Sequence, residues 1–150
     1  MSTTINVLHG ITLVTLQSSP TEVNFVSDVF DRIEKKNINI DMISMAPNSG
    51  AVTSLSFTID DDDLVAMLGF TSELKKEMDI KAIISSVNHK ISICDTDMKN
   101  TPGFAARVFR AIRNSGADIR LITTSEVEIS LLVNEAYFDG VLAALEKEFN

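Results

Sequence analysis

The sequence predicts an α+β fold, built as two small domains on one plan. Three sets of apolar positions predict it. The helical stripe Val26, Val29, Phe30 and Ile33 returns 79 residues later as Ala105, Val108, Phe109 and Ile112. The strand positions Ile38, Ile40 and Met42 return at the same offset as Ala117, Ile119 and Leu121. Farther on, Leu55, Phe57 and Ile59 return as Ile129, Leu131 and Val133 at an offset of 74, so the second copy has a shorter loop. Such a period is too long for a solenoid unit but suits two domains, assigned to 9–79 and 80–150. Each copy alone would be marginal, because a domain of ~60 to 70 residues buries only about 60% of its unfolded surface. Packing of the copies on each other, or dimerisation, is expected.

Period and punctuation place the elements. In copy one, the β-branched run Ile11 to Leu16 reads as a strand and Thr21 to Lys36 carries the helical stripe. Ile38 to Met45 and Thr53 to Asp60 alternate as strands, and Asp61 to Glu77 is helical with an interruption at Gly69. In copy two, strands are expected over Lys90 to Asp95, Asp118 to Thr124 and Val127 to Val133, and helices over Gly103 to Ser115 and Glu135 to Glu148. An additional strand, Ile80 to Val87, could close either sheet. The order β-α-β-β-α, with one apolar face per element, is that of a ferredoxin-like antiparallel sheet with helices packed on one face. Pro102-Gly103 marks a helix start and Asn114-Ser115-Gly116 its end. The run Asp60 to Asp63 could suggest a cation site. Consecutive helical positions diverge, however, and acidic residues at a helix start favour capping and the helix dipole.

Charge and composition narrow the function. With 13 basic and 21 acidic residues the formal charge is −8, which argues against a phosphate backbone as partner. RNA binding on a β-sheet needs strand aromatics, and Phe57 is the only aromatic on an expected central strand. No apolar run approaches the ~20 residues of a membrane span, and Met1 to Gly10 lacks the features of a secretory leader. The single cysteine, Cys94, cannot pair within the chain and is expected as a buried thiol in a reducing cytoplasm. His9, His89 and Cys94 have no metal-ligand spacing. The two histidines precede the equivalent first strands, where a structural role at the sheet edge is expected. No nucleophilic triad and no Gly-rich phosphate loop are present, so no catalytic residue, metal or cofactor is assigned. Arg107, Arg110 and Arg113 lie on the outward side of their helix, as a solvated face or one that meets an acidic partner.

The segment Asn100-Thr101-Pro102-Gly103-Phe104-Ala105-Ala106-Arg107-Val108-Phe109, with Ala117 to Val127 after it, closely resembles the second ACT domain in the regulatory tail of aspartate kinases. The first copy is similar to the preceding ACT domain, with Asn37 to Ile43 as its best match. This resemblance implies allosteric sensing of a free amino acid, lysine or threonine, by a cytosolic, non-catalytic homodimer joined through its ACT domains. It also implies an amino-acid biosynthetic enzyme as the regulated partner. The amino-kinase domain that precedes such tails is absent from this sequence, so the chain is expected to be a stand-alone regulatory subunit or a kinase tail. A contact-only module that binds no metabolite is the alternative.

The resemblance places one site at Asn100, Pro102, Gly103, Phe104 and Ala105, facing Asn39 and Ile40, with Thr124, Ser125 and Glu126 close by. A Pro-Gly turn into a helix suits such a role physically. It leaves outward backbone N–H groups and a positive dipole for a carboxylate, and Gly103 has no Cβ to hold the ligand off. Asn39, Asp41 or Asp118, or strand carbonyls, could accept from the ligand's ammonium. The pseudo-symmetric site would use Ser18, Pro20, Thr21, Glu22, Val23 and Met45 with Asp118 and Ile119. Here the sequence departs from the family: Ser18-Ser19-Pro20-Thr21 replaces an acidic residue and Pro-Gly, and Met45 replaces a glutamine. The site around Gly103 is therefore expected to be the working one.

Overall fold

In the computed structural model, which describes residues 3–48 and 50–150, the repeat of the sequence becomes a repeat of elements. They run β1 (Thr4–Pro20), α1 (Val23–Glu34), β2 (Ile43–Met45), β3 (Val52–Asp60), α2 (Leu64–Glu77), β4 (Lys81–Cys94), α3 (Phe104–Ile112), β5 (Ile119–Thr124), β6 (Glu128–Asn134) and α4 (Glu135–Phe149). The fold is α+β and ferredoxin-like. The described residues divide into a first unit, Gly10–Ser86, and a second formed by Val87–Asn150 with residues 3–9.

Within the first unit the strand order is β2-β3-β1-β4, with β1 and β2 both antiparallel to β3. Val29 and Ile33 of the expected stripe, with Phe25 outside it, pack with Met67, Phe70 and Leu74 of α2 on Val14, Leu16, Leu55, Phe57 and Ile59 of the sheet, while the stripe positions Val26 and Phe30 are only partly buried. Phe57 is fully buried, and burial of such a side chain contributes about 1.5–3 kcal/mol. Arg32 holds α1 to the end of α2 through two bonds to Glu77, at 3.0 and 2.7 Å. Within the second unit the order is β1-β4-β6-β5, with β4 and β5 antiparallel to β6. Its core joins Phe104, Val108 and Ile112 of α3 and Val141 and Leu145 of α4 to Ile91, Ile93, Ile129, Leu131 and Val133. Each unit thus holds four strands, where the β-α-β-β-α order supplies three.

Several elements differ from the sequence expectation. β1 starts at Thr4 rather than Ile11, and Ile5 and Val7 pack on the core of the second unit. The strands expected over 80–87 and 90–95 are one strand, β4, which passes from one unit into the other at Val87. Val87 takes φ 59 there, a left-handed conformation that a β-branched residue adopts only under strain. The strand expected over 38–45 shrinks to Ile43–Met45. Thr58 accounts for this: its carbonyl accepts from Asp41 N–H at 3.1 Å and its hydroxyl from Met42 N–H at 2.8 Å, so one residue faces two. Helix α2 runs through Gly69 without interruption. A glycine inside a helix costs about 0.5–1 kcal/mol, less than tertiary packing returns. Cys94 is half-buried at the end of β4, not buried. Burial, and then the Glu128 carboxylate, push its thiol above the ordinary value. Asp60 caps the turn 61–63 by accepting from Asp62 N–H at 2.8 Å, and Asp61 accepts from the Thr12 hydroxyl at 2.6 Å.

Candidate functional site

Helix starts differ in how their N–H groups are satisfied. Asn134 accepts from Ala136 N–H at 3.1 Å at the start of α4, and Asp60 caps the turn that leads into α2. Among the described residues, none caps α1 or α3 with a side chain. These are the two helices that begin the two candidate sites.

At α3 the preceding loop is held by side chains that bond to its backbone. Asp95 accepts from Asp97 N–H at 2.9 Å and from the Thr3 hydroxyl at 2.8 Å, while its own N–H donates to the Val127 carbonyl at 2.9 Å. The turn Met98–Asn100 follows, and the Thr101 hydroxyl donates to the Asp97 carbonyl at 2.9 Å. Gly103 then takes φ 91, a left-handed conformation suited to glycine, and its carbonyl accepts the first bond of the helix from Arg107 N–H. The N–H groups of Phe104, Ala105 and Ala106 are left at an uncapped positive helix end.

This end opens on a cleft of about 270 Å³, lined by Met98, Thr101, Gly103, Phe104, Ala105, Thr124, Ser125 and Ile129. Of the expected residues, the structure brings Gly103, Phe104, Ala105, Thr124 and Ser125 together in it. Asn100, Pro102 and Glu126 are exposed nearby in sequence but do not line it. Asn39 and Ile40 belong to the first unit. Sequence reasoning misses Met98, Thr101 and Ile129 as lining. Ile129 is visible as a repeat position, and Thr101 stands within the matched run, but Met98 carries no signal. Among the described residues, no charged side chain lines the cleft. The Ser125 hydroxyl accepts from Val127 N–H at 3.3 Å, which leaves its proton free to turn.

The pseudo-equivalent region of the first unit holds two neighbouring clefts. One, of about 280 Å³, gathers Thr21, Met45, Ala46, Pro47, Asn48 and Thr53. The other, of about 310 Å³, gathers Gln17, Ser18, Ala46, Pro47, Val52, Thr53 and Ser54. Ser18 sits at φ 60 in a bulge between Leu16 and Ser19 of β1, where Ser19 donates to the Leu16 carbonyl at 2.7 Å. Pro20, Glu22 and Val23 line neither cleft, and Asp118 and Ile119 belong to the second unit.

Residues 91–149 match the family model of the ACT domain. The chain is 29% identical over 140 residues to an aspartokinase of Bacillus sp. (strain MGA3), across 93% of this chain and 34% of that protein. Among solved structures, the regulatory subunit of aspartate kinase from Thermus flavus is 25% identical, with a TM-score of 0.89 and 100% of both chains covered. The ligand-free regulatory subunit of aspartate kinase from Thermus thermophilus is also 25% identical, with a TM-score of 0.87 and 97% of each chain covered. The chain is thus homologous to the regulatory region of aspartokinases, and it matches that region rather than the catalytic kinase domain. It spans about a third of the length of the curated relatives it matches. Among the described residues, no helix is long and apolar enough to cross a membrane.

Proposed function

We propose that this chain is an allosteric regulatory module that binds a free amino acid in the cleft at the start of α3. The observation that carries the reading is the uncapped end of α3 opening on Gly103, Thr124 and Ser125. A ligand carboxylate there accepts from the N–H groups of Phe104, Ala105 and Ala106 in the field of the helix dipole. Its ammonium group donates to the hydroxyl oxygens of Thr101, Thr124 and Ser125, which accept as readily as they donate. With no charged side chain among the described lining residues to meet a second cation, threonine suits the cleft better than lysine.

Each unit is read as one ACT domain, and two chains pair through these domains as a homodimer in the cytoplasm. Regulation is then a population shift. The ligand favours the arrangement it binds more tightly, and an attached or separate amino-acid biosynthetic kinase responds to that bias. The first-unit clefts are structural in this reading.

Calorimetric titration with threonine, lysine, methionine, isoleucine and aspartate tests it, beside an Ala105→Glu variant. That substitution suits a helix start but sets a carboxylate against the ligand's own. Saturable heat with one amino acid, lost in the variant, is expected. Silence with every amino acid in a folded protein replaces the sensor with a contact-only regulatory module.

A further inference from the structure

The chain has two histidines, 80 residues apart in sequence, and the fold sets them face to face in the second unit. His9 stands at the end of the β1 segment of that unit, and His89 lies on β4. Their Nδ1 atoms are 3.1 Å apart, with the rings nearly perpendicular at 78°. Phe138 of α4 packs against both, at 5.2 Å from His9 and 4.7 Å from His89 between ring centres. His89 is buried, with 8% of its surface exposed, while His9 is open to solvent. On the far side of His89, Nε2 lies 3.8 Å from Glu135 Oε1, at the first position of α4.

We propose that His9 and His89 form a binding site for a borderline transition-metal ion of the Zn²⁺ or Ni²⁺ class, independent of the amino-acid cleft. Two nitrogens 3.1 Å apart, each ~2.05 Å from one ion, subtend about 98° at it, between the octahedral and tetrahedral angles. Imidazole is a preferred donor for such ions. Without an ion, one Nδ1 carries the proton and donates to the other. On binding, that proton moves to the Nε2 of its own ring, so both Nδ1 lone pairs face the metal and no net proton is lost. At His89 this places an N–H toward Glu135, the arrangement by which an outer carboxylate orients a ligating imidazole. Among the described residues no third histidine, cysteine or carboxylate joins the pair. Water, or a donor from an exogenous molecule, completes the coordination on the exposed His9 side.

Because the chain holds no other histidine, tag-free protein makes the test clean. ZnCl₂ and NiCl₂ are titrated in a non-coordinating buffer by calorimetry and by NMR of the imidazole nitrogens. One ion per chain is expected, with both histidine side chains shifting together and reversal by chelator. His9→Gln, at an exposed position that leaves the core intact, should weaken binding at least tenfold, and Glu135→Gln by roughly tenfold. Absence of saturable binding, or binding that His9→Gln leaves unchanged, overturns the proposal and returns the pair to a hydrogen-bonded structural contact. Imidazole signals that do not move with metal do the same.

Discussion

The starts of α1 and α3 are the same feature in two versions, and on the proposed reading their difference separates a cleft that takes an amino acid from one that does not. Phe25 and Phe104 are equivalent and both buried, yet Phe104 opens its helix while Phe25 is the third residue of α1. Helix α1 therefore reaches two residues farther, about 3 Å at 1.5 Å per residue. Val23 and Asn24 occupy helical positions where α3 leaves Pro102 and Gly103. At the cap, α1 has the carboxylate of Glu22, which competes with an anionic ligand. At the end of the following strand and just past it, Met45 and Ala46 stand where the second unit has Thr124 and Ser125. Both versions keep the core and the fold. What the first lacks is the hydroxyl pair of Thr124 and Ser125; its own clefts carry Thr21, Thr53, Ser18 and Ser54, beside a helix start that holds a carboxylate.

The largest expected effect is on binding. Ala105→Glu should abolish saturable amino-acid heat, a loss of about tenfold or more in affinity, which is ~1.4 kcal/mol or more. Val23→Glu, at the exposed start of α1, is the control and should leave that heat unchanged if the first-unit clefts are structural.

Backbone conformation gives the next contrast. Gly103→Ala meets no atom within 4 Å but must hold φ 91, so thermal unfolding should show a loss of about 1–2 kcal/mol. Its counterpart Asn24→Ala lies within α1, where alanine is the better helix former, and should gain a few tenths of a kcal/mol. Equal effects at the two positions would sink the distinction between the helix starts.

Capping comes third. Asn134→Ala removes the acceptor for Ala136 N–H and should cost about 1 kcal/mol in denaturant unfolding. Glu22→Ala, which removes no cap bond, should cost close to nothing.

The smallest contrast is in acid. Both units carry a hydroxyl pair, Thr15 with Ser56 at 3.1 Å and Ser92 with Ser130 at 2.9 Å. Only the second adds a carboxylate: Ser130 donates to Glu128 at 2.6 Å, while the equivalent position in the first unit is Ser54. The Ser130 bond holds the Glu128 carboxyl below its usual range, against burial, which pushes it up. A depressed carboxyl stabilises the fold above its unfolded value, ~4.3, and that contribution is lost as pH falls through the lower folded value. Unfolding followed between pH 6 and 3 should therefore show a shallower acid loss in Glu128→Gln than in the unsubstituted chain.

Most elements were legible because their signals are local. The stripe Val29 and Ile33 and its repeat Val108 and Ile112 mark buried helix faces, and alternation through Leu55, Phe57 and Ile59 marks the inner face of β3. Part of the cleft was legible too, since Gly103 and Thr124 stand in a recognisable run. Met98 was not, because a methionine in a polar loop has no period to betray where the turn 98–100 will carry it.

The sequence by itself determined the repeat of apolar positions, the inward Val29 and Ile33 of α1 with Val108 and Ile112 of α3, and the loss of Pro-Gly in copy one. These follow from side-chain chemistry at fixed spacing. Only the tertiary structure decided that β1 begins at Thr4, that β4 is continuous through Val87, and that His9 meets His89. Strands choose partners through backbone hydrogen bonds that every residue but proline can make, so the choice leaves little trace in the residues themselves.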